Sequence, residues 1–394
     1  MATYARLPVA FVRGEGPWLW DDKGERYLDA LSGIAVCGLG HAHPAVADAV
    51  CDQARTLVHT SNLFRIPNQE RLAERLCRAA DMDRVFFANS GAEANEAALK
   101  LARLHGHNRN IEQAAVVVVE GSFHGRTLAT LSATGNRRVQ AGFEPLVQGF
   151  VRAPFNDLEA LYTIARNRPD VVAILLEPVL GEGGVRVPAP GYLEGVRALC
   201  DEFGWLMMLD EIQTGMGRSG RMFAYQRAGV LPDVATVAKG LGNGVPIGAC
   251  MARGAAAGVL GPGRHGSTFG GNPLSSAAGL AVLDTLESGG LPERAAALGE
   301  RMLHGLRSRL EGVAGVVEVR GLGLLLGIEL DRPCGDLVQQ ALERRLLLNV
   351  TAGNVVRLLP PLVLSDELAD EVVDTVATLV RDFLAANGAG VTHG

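Results

Sequence analysis

The sequence predicts an α/β fold in which a mostly parallel central sheet is covered by helices, with a smaller α+β domain beside it. Three observations carry this expectation. Six short runs between residues 84 and 252 are apolar throughout instead of alternating, as strands covered on both faces require. Helical spacing fills most of the intervals between them, which is the pattern of a parallel sheet. After residue 290 the texture changes to long helical stretches around one strand-like segment. A length of 394 residues allows two or three domains. The expected division is 1–55 as an N-terminal segment packing with the small domain, 56–290 as the large domain, and 291–394 as the small C-terminal one.

In chain order, WLWDDKGERYLD (18–29) alternates around a D-K-G turn and predicts a hairpin. PAVADAVCDQARTL and PNQERLAERLCRAA have helical spacing. The strand candidates are RVFFAN (84–89), AAVVVVE (114–120), VVAILLE (171–177), WLMMLD (205–210), VATVA (234–238) and IGACMA (247–252). LPERAAALGERMLHGLRSRLEG then predicts a helix, VVEVRGLGLLLGIEL follows, and another helix and a charged helical tail close the chain.

Bulk properties narrow the function classes. The formal charge is −6 with no basic run, so neither nucleic acid nor membrane is an expected partner. The six cysteines are scattered without a C-x-x-C pair and read as free thiols in a reducing compartment. No apolar span is long enough for a membrane helix, and the start lacks a secretory pattern, so a cytoplasmic location is expected. Only Lys23, Lys100 and Lys239 are lysines, which leaves three candidates for any chemistry that needs one.

Five segments carry candidate chemistry. In NSGAEANEAALKLAR (89–103), Ser90 and Glu93 have capping-box spacing, so a helix should begin at about Gly91. Gly91 and Ala92 leave the first-turn N–H groups open, as a phosphate site needs. In GSFHGRT (121–127), Phe123 can cover a flat ring and Arg126 can clamp a carboxylate. In LMMLDEIQTGMGRSG (206–220), Asp210 ends an apolar run, where its charge would hold a ring nitrogen protonated. The same segment contains Gly215, Gly217 and Gly220 in G-x-G-x-x-G spacing, the basis of a rival nicotinamide-dependent oxidoreductase. That reading is weak, because DEIQT separates strand from glycines and no clear helix start follows. In VATVAKGLGNGVPIGA, Lys239 ends an apolar run, where a lone charge is costly unless paired or used. A lysine of lowered pKa can form a Schiff base with an aldehyde cofactor. In HGSTFGGNP (265–273), Ser267 and Thr268 suit further phosphate contacts. Each segment alone has a plainer reading, such as a capped helix or a Gly-Ser loop. In this order they describe a site for pyridoxal 5'-phosphate. Cys37, His41 and His43 do not have a familiar zinc spacing and read as a core thiol and loop histidines, so no metal site is expected.

Over nearly its full length the chain resembles the class III (ω-amino-acid) aminotransferases. The resemblance is carried by GIAVCGLGHAHP, HTSNLF, NSGAEANEAALKLAR, SFHGRT, LLEPVLGEGG, LDEIQTGMGRSG, AKGLGNGVPIGA and STFGGNP. It implies the type I fold of pyridoxal-phosphate-dependent transferases. It also implies that Gly91 and Ala92 donate to the phosphate, Phe123 stacks on the ring, and Asp210 pairs with the ring nitrogen. Gln213 would lie near the phenolic oxygen and Lys239 would bind the cofactor covalently. Thr268 would reach the phosphate of the neighbouring subunit, making a homodimer the active unit. Arg126 would hold the substrate α-carboxylate, with Ser267 also near the substrate. Glu182 and Arg357 match a pair in which the glutamate masks the arginine when the ω-amino substrate is bound.

Within the class the chain looks most like the acetylornithine aminotransferases. That likeness implies transfer of the δ-amino group of N2-acetyl-L-ornithine to 2-oxoglutarate, yielding L-glutamate, in arginine biosynthesis. Ornithine aminotransferases of this class place a tyrosine near the region of Gly33 and Ile34, and LSGIAVCGLG has none, which favours an N-acylated donor. The alternatives are succinylornithine, ornithine, GABA or succinyldiaminopimelate as donor.

Overall fold

The computed structural model describes residues 1–388. The chain opens with three antiparallel strands, β1 (Phe11–Glu15), β2 (Trp18–Asp21) and β3 (Arg26–Asp29). The expected D-K-G hairpin lies between β2 and β3. Asp21 closes it by accepting the N–H groups of Lys23 (3.0 Å) and Glu25 (2.8 Å) on one carboxylate oxygen.

The central sheet has seven strands: β4 (Arg84–Ala88), β5 (Ala115–Val119), β6 (Phe150–Ala153), β7 (Val171–Leu176), β8 (Leu206–Asp210), β9 (Val234–Val237) and β10 (Gly248–Ala252). Their spatial order is β4-β10-β9-β8-β7-β5-β6. Every strand candidate of that region is a strand. Alternate residues of one strand enter opposite layers of the core: Val117, Val119, Ile174 and Leu176 on one side, Val116, Val118 and Leu175 on the other. Both faces are therefore buried, which is why these runs show no polar alternation.

Two features differ from the sequence expectation. β6 was not among the candidates; it is a four-residue edge strand, partly exposed and interrupted by Arg152. β10 runs antiparallel to both neighbours, because residues 238–247 hold only the Lys239 turn and leave no room for a crossover helix.

The C-terminal part forms a third, antiparallel sheet from β11 (Val316–Leu322), β12 (Leu325–Leu330), β14 (Asn349–Thr351) and β15 (Val355–Leu358), in the order β11-β12-β15-β14. The short β13 (Leu346–Leu347) leaves that sheet and pairs in parallel with β3, joining the two chain ends. The helices Leu291–Leu310 and Asp366–Gly388 pack together and are laced by Arg301–Asp370 and Arg309–Asp374 ion pairs. No helix among the described residues is long and apolar enough to cross a membrane. The carboxyl ends of β4, β5, β7, β8 and β9 and the start of β10 share one sheet edge, the place where open α/β sheets bind ligands.

Candidate active site

A cavity of about 390 Å³ opens at that edge, and Gly91, Ala92, Phe123, Arg126, Asp210, Gln213 and Lys239 all line it. Neither Lys23 nor Lys100 does.

Lys239 is delivered by β9, whose four residues, three of them apolar, are buried and anchor the turn that follows. The residue itself has φ 44°, in the left-handed region, and Asn243 repeats this at φ 45°. For a side chain with a Cβ this costs about 1–2 kcal/mol, so the turn is held by its surroundings. The ammonium has no hydrogen-bond or ion-pair partner among the described residues. Enclosure by protein pushes its pKa down from the ordinary lysine value, against the opposing pull of Glu182. A partnerless amine of lowered pKa inside a cavity is a nucleophile in waiting.

Asp210, at the end of β8, is buried and fixed from three sides. Its Oδ2 accepts from Asn95 Nδ2 (2.7 Å) and His124 Nδ1 (2.8 Å), and its Oδ1 accepts from the Ile212 N–H (3.0 Å). Asn95 is fixed in turn, donating to the His124 carbonyl (2.9 Å) and accepting from the Thr236 hydroxyl (2.7 Å). The carboxylate thus has one orientation, aimed into the cavity.

Ser90 caps the helix Gly91–Asn108, and its hydroxyl accepts the Glu93 N–H at 3.3 Å. Glu93 reaches back to the Asn89 N–H (2.6 Å), one residue before the expected partner. Gly91 packs tightly on Ile212: an added Cβ would lie 2.6 Å from Ile212 Cδ1, so that side chain would have to shift. The exposed first-turn amides meet the cavity where an anion would be welcome.

Phe123 and the loop carrying Glu182 are tied by Glu177. Its Oε1 accepts the Phe123 N–H (2.9 Å) and its Oε2 the Gly181 N–H (3.0 Å). Burial, reinforced by the charge of Asp210, pushes the Glu177 carboxyl up to about 7. Arg126 is exposed at the cavity mouth, its guanidinium 5.7 Å from the Phe123 ring centroid.

Arg357 on β15 is fully buried. Its Nη1 meets Glu182 Oε1 at 2.7 Å and Gln213 Oε1 at 3.1 Å, and its Nε donates to Asn349 Oδ1 at 3.1 Å. Nη2 has no partner among the described residues. Burial alone would raise the Glu182 carboxyl, but Arg357 outweighs it and holds Glu182 below the usual carboxylate range. Glu182 and Arg357 therefore touch, one side chain beyond the cavity lining, with Gln213 as the link. Gly181 permits this packing, since a Cβ there would overlap Gln213 Oε1 at 2.2 Å.

Ser267 and Thr268 are not brought into this chain's cavity. Ser267 Oγ instead accepts the Gly270 N–H (2.9 Å) within its own loop, and Thr268 is exposed. The glycines 215, 217 and 220 also lie outside the cavity. A Cβ on Gly217 or Gly220 would meet Leu362 or Ala296, and no helix opens there, unlike a dinucleotide turn.

Val36, another lining residue, follows a left-handed turn in which Ser32, Gly33, Ile34 and Ala35 have φ of 50°, 62°, 67° and 63°. Three of the four carry a Cβ. His124, Asn95 and Glu177 had no role assigned from the sequence, although each lies inside a quoted motif; only the fold brings them to Asp210 and Phe123.

The donor set fits pyridoxal phosphate: open helix amides for a phosphate, an aromatic face, a fixed carboxylate for a ring nitrogen, and a partnerless lysine. The Aminotransferase class-III family model matches residues 2–380 of this chain. The acetylornithine aminotransferase of Nitrosomonas europaea is 57% identical over 384 residues, 98% of each chain. An ornithine aminotransferase from Toxoplasma gondii, solved with pyridoxal phosphate at partial occupancy in its active site, superposes with a TM-score of 0.93. It is 36% identical, and the match covers 97% of this chain and 92% of that one. The acetylornithine aminotransferase from Elizabethkingia anophelis gives 0.87 at 34% identity, covering 97% of this chain and 96% of that chain.

Proposed function

The chain belongs to the class-III aminotransferases, and from that premise we propose that it moves the δ-amino group of N2-acetyl-L-ornithine to 2-oxoglutarate. The products are N-acetylglutamate 5-semialdehyde and L-glutamate, a step of arginine biosynthesis. It is a transaminase whose cofactor is pyridoxal phosphate.

The observation that carries the chemistry is Lys239 alone among the lysines in the cavity, opposite a fixed Asp210. When bound, the cofactor supplies an electrophilic aldehyde and a sink for electrons. Gly91 and Ala92 would hold its phosphate, Phe123 would cover its ring, Gln213 would lie beside its phenolic oxygen, Asp210 would keep its ring nitrogen protonated, and Lys239 Nζ would hold its aldehyde. As a neutral amine in the enclosed cavity, Lys239 Nζ would also be the base that accepts a proton from the substrate carbon bearing the amine and gives it back. Arg126 meets the substrate α-carboxylate, and Ser267, which lies outside its own chain's cavity, would approach a substrate only across the dimer interface. Arg357 accepts the second carboxylate of 2-oxoglutarate or glutamate when Glu182 swings away, and Glu182 masks it for the acylated donor.

The carboxylate inventory supports an N-acylated donor. Among the described residues Glu177 and Asp210 are the only acids lining the cavity, and both are committed to donors from the protein. A free α-ammonium would find no unengaged carboxylate there, whereas an amide needs none. The active unit is a homodimer in which Thr268 reaches the partner's phosphate site. The exposed apolar side chains of Leu63, Phe64 and Phe269 around that loop support it.

The visible absorption of the purified holoenzyme tests this reading. N-acetylornithine should bleach the lysine-bound cofactor band at lower concentration than ornithine or GABA, and 2-oxoglutarate should restore it. Lys239→Ala should lose the band's lysine-linked form and at least about a thousandfold of turnover. Bleaching that is strongest with ornithine or GABA would move the donor assignment. A Lys239→Ala protein turning over near the wild-type rate would end the mechanism.

A further inference from the structure

The left-handed turn before Val36 is held by groups that lie outside the cavity and form one connected set. Asp29 is buried and grips both ends of the segment 29–41. Its Oδ1 accepts the N–H groups of Leu31 and Ser32, each at 2.8 Å, and its Oδ2 meets His41 Nε2 at 2.7 Å. The turn closes on itself through Ala35 N–H to the Leu31 carbonyl (3.1 Å) and Val36 N–H to the Ser32 carbonyl (2.8 Å).

Asn243, on the turn that begins at Lys239, clasps the far end of the segment with both arms of its amide. Its Oδ1 accepts the Leu39 N–H (2.9 Å) and its Nδ2 donates to the Gly40 carbonyl (3.0 Å). On the opposite flank, Leu359 N–H donates to the Ala30 carbonyl and Leu362 N–H to the Gly38 carbonyl, both at 2.7 Å. Segment 29–41 is thus a strap tied to the Lys239 turn on one side and to the chain just beyond Arg357 on the other. Backbone held in such sparsely populated conformations persists only where its surroundings over-determine it, and it gathers at functional sites.

We propose that Asp29, His41 and Asn243 are positioning residues that lock this strap so that Val36 and the Lys239 turn keep the cavity in the shape its substrates need. None of the three lines the cavity, so they act through the strap. The proposal rests on the reading of the cavity as the amine-transfer site.

The test uses the holoenzymes of His41→Ala, His41→Gln and Asn243→Gly, the last chosen because glycine tolerates the left-handed φ. Two readouts are needed: KM and kcat for N-acetylornithine and 2-oxoglutarate, and amide hydrogen exchange of peptides spanning 29–41 compared with β5 and β7. His41→Ala and Asn243→Gly should raise KM for both substrates by about tenfold or more, with a smaller change in kcat. Exchange should quicken in 29–41 and stay unchanged in β5 and β7. His41→Gln, whose Nε2 can still donate to Asp29, should restore both readouts. The proposal is overturned if KM stays within about twofold of wild type in both disrupting variants. It is equally overturned if kcat falls at constant KM while exchange quickens throughout the chain, the signature of a purely structural role. A wild-type chain without cofactor band or turnover would sink the function reading instead, and the exchange comparison would still decide whether these residues hold the strap.

Discussion

At Gly91 the site depends on a missing atom. A Cβ there would sit 2.6 Å from Ile212 Cδ1 and 3.0 Å from its Cγ1 and Cγ2, so Ile212 would have to shift. Ile212 lies two residues after Asp210, and its N–H is one of that carboxylate's three donors. Gly91→Ala should therefore destabilise the protein by roughly 1–3 kcal/mol, as overpacking does, and also loosen cofactor retention. Adding Ile212→Ala should recover part of the loss, with a coupling of roughly 0.5–3 kcal/mol between the two sites by thermal unfolding. Strict additivity would show that the glycine serves something other than this contact. The same residue scale shows what a sequence discloses about a site. Lys239, Asp210 and Phe123 are legible because each stands out in its own segment: a charge closing an apolar run, or an aromatic in a glycine turn. His124, Asn95 and Glu177 are not, because their meaning lies in partners far along the chain. His124 meets Asp210 across 86 positions and Asn95 meets it across 115. No local pattern encodes such a bond.

Elements follow a similar rule. Strands buried on both faces announce themselves by unbroken apolar runs, and all six such runs in the central sheet are strands. The partly exposed edge strand β6 and the reversed direction of β10 have no such signature, since edge position and direction are set by neighbours. The left-handed turn at residues 32–35 is the extreme case: SGIA contains one glycine, and propensity gives no reason to expect an isoleucine there in that conformation. Its clamp carries a pH dependence of definite sign. Burial alone would lower the His41 imidazole, but Asp29 and Cys37 beside it outweigh burial and push it up to about 9. A group raised in the folded state contributes stability that is complete below its unfolded value, about 6.5, and that disappears as pH rises through about 9. The wild-type protein should therefore lose roughly 1–2 kcal/mol across that interval, after allowance for the partial exposure of the ring. His41→Gln should lack that part of the slope in thermal unfolding followed against pH. Equal slopes in the two proteins would mean that the Asp29–His41 pair contributes nothing to the folded state.

For the whole molecule, the proposed dimer turns on a residue that lies outside its own chain's cavity. Thr268 is exposed and stands apart from the cavity, yet it sits on a loop bonded to the Asn62 turn, with Leu63, Phe64 and Phe269 exposed around it. An apolar face of this kind is costly in water, which supports the proposed dimer interface. In a twofold dimer any contact made in one direction is repeated in the other, so under this proposal each subunit's Thr268 would serve the other's site. Subunit mixing separates this arrangement from a monomeric site. A Lys239→Ala dimer has no working site, and a Thr268→Ala dimer should hold its cofactor poorly when pyridoxal phosphate is limiting. In a mixed dimer, the Thr268→Ala subunit keeps Lys239 and receives Thr268 from its partner, so one of the two sites is whole. Random reassortment of equal amounts makes about half the dimers mixed, and so about a quarter of all sites complete. Activity at limiting cofactor should rise above the average of the two separate variants toward that fraction of wild type. A mixture that never exceeds the average, after mass measurement shows that subunits have exchanged, would place Thr268 in the service of its own chain or of no site at all.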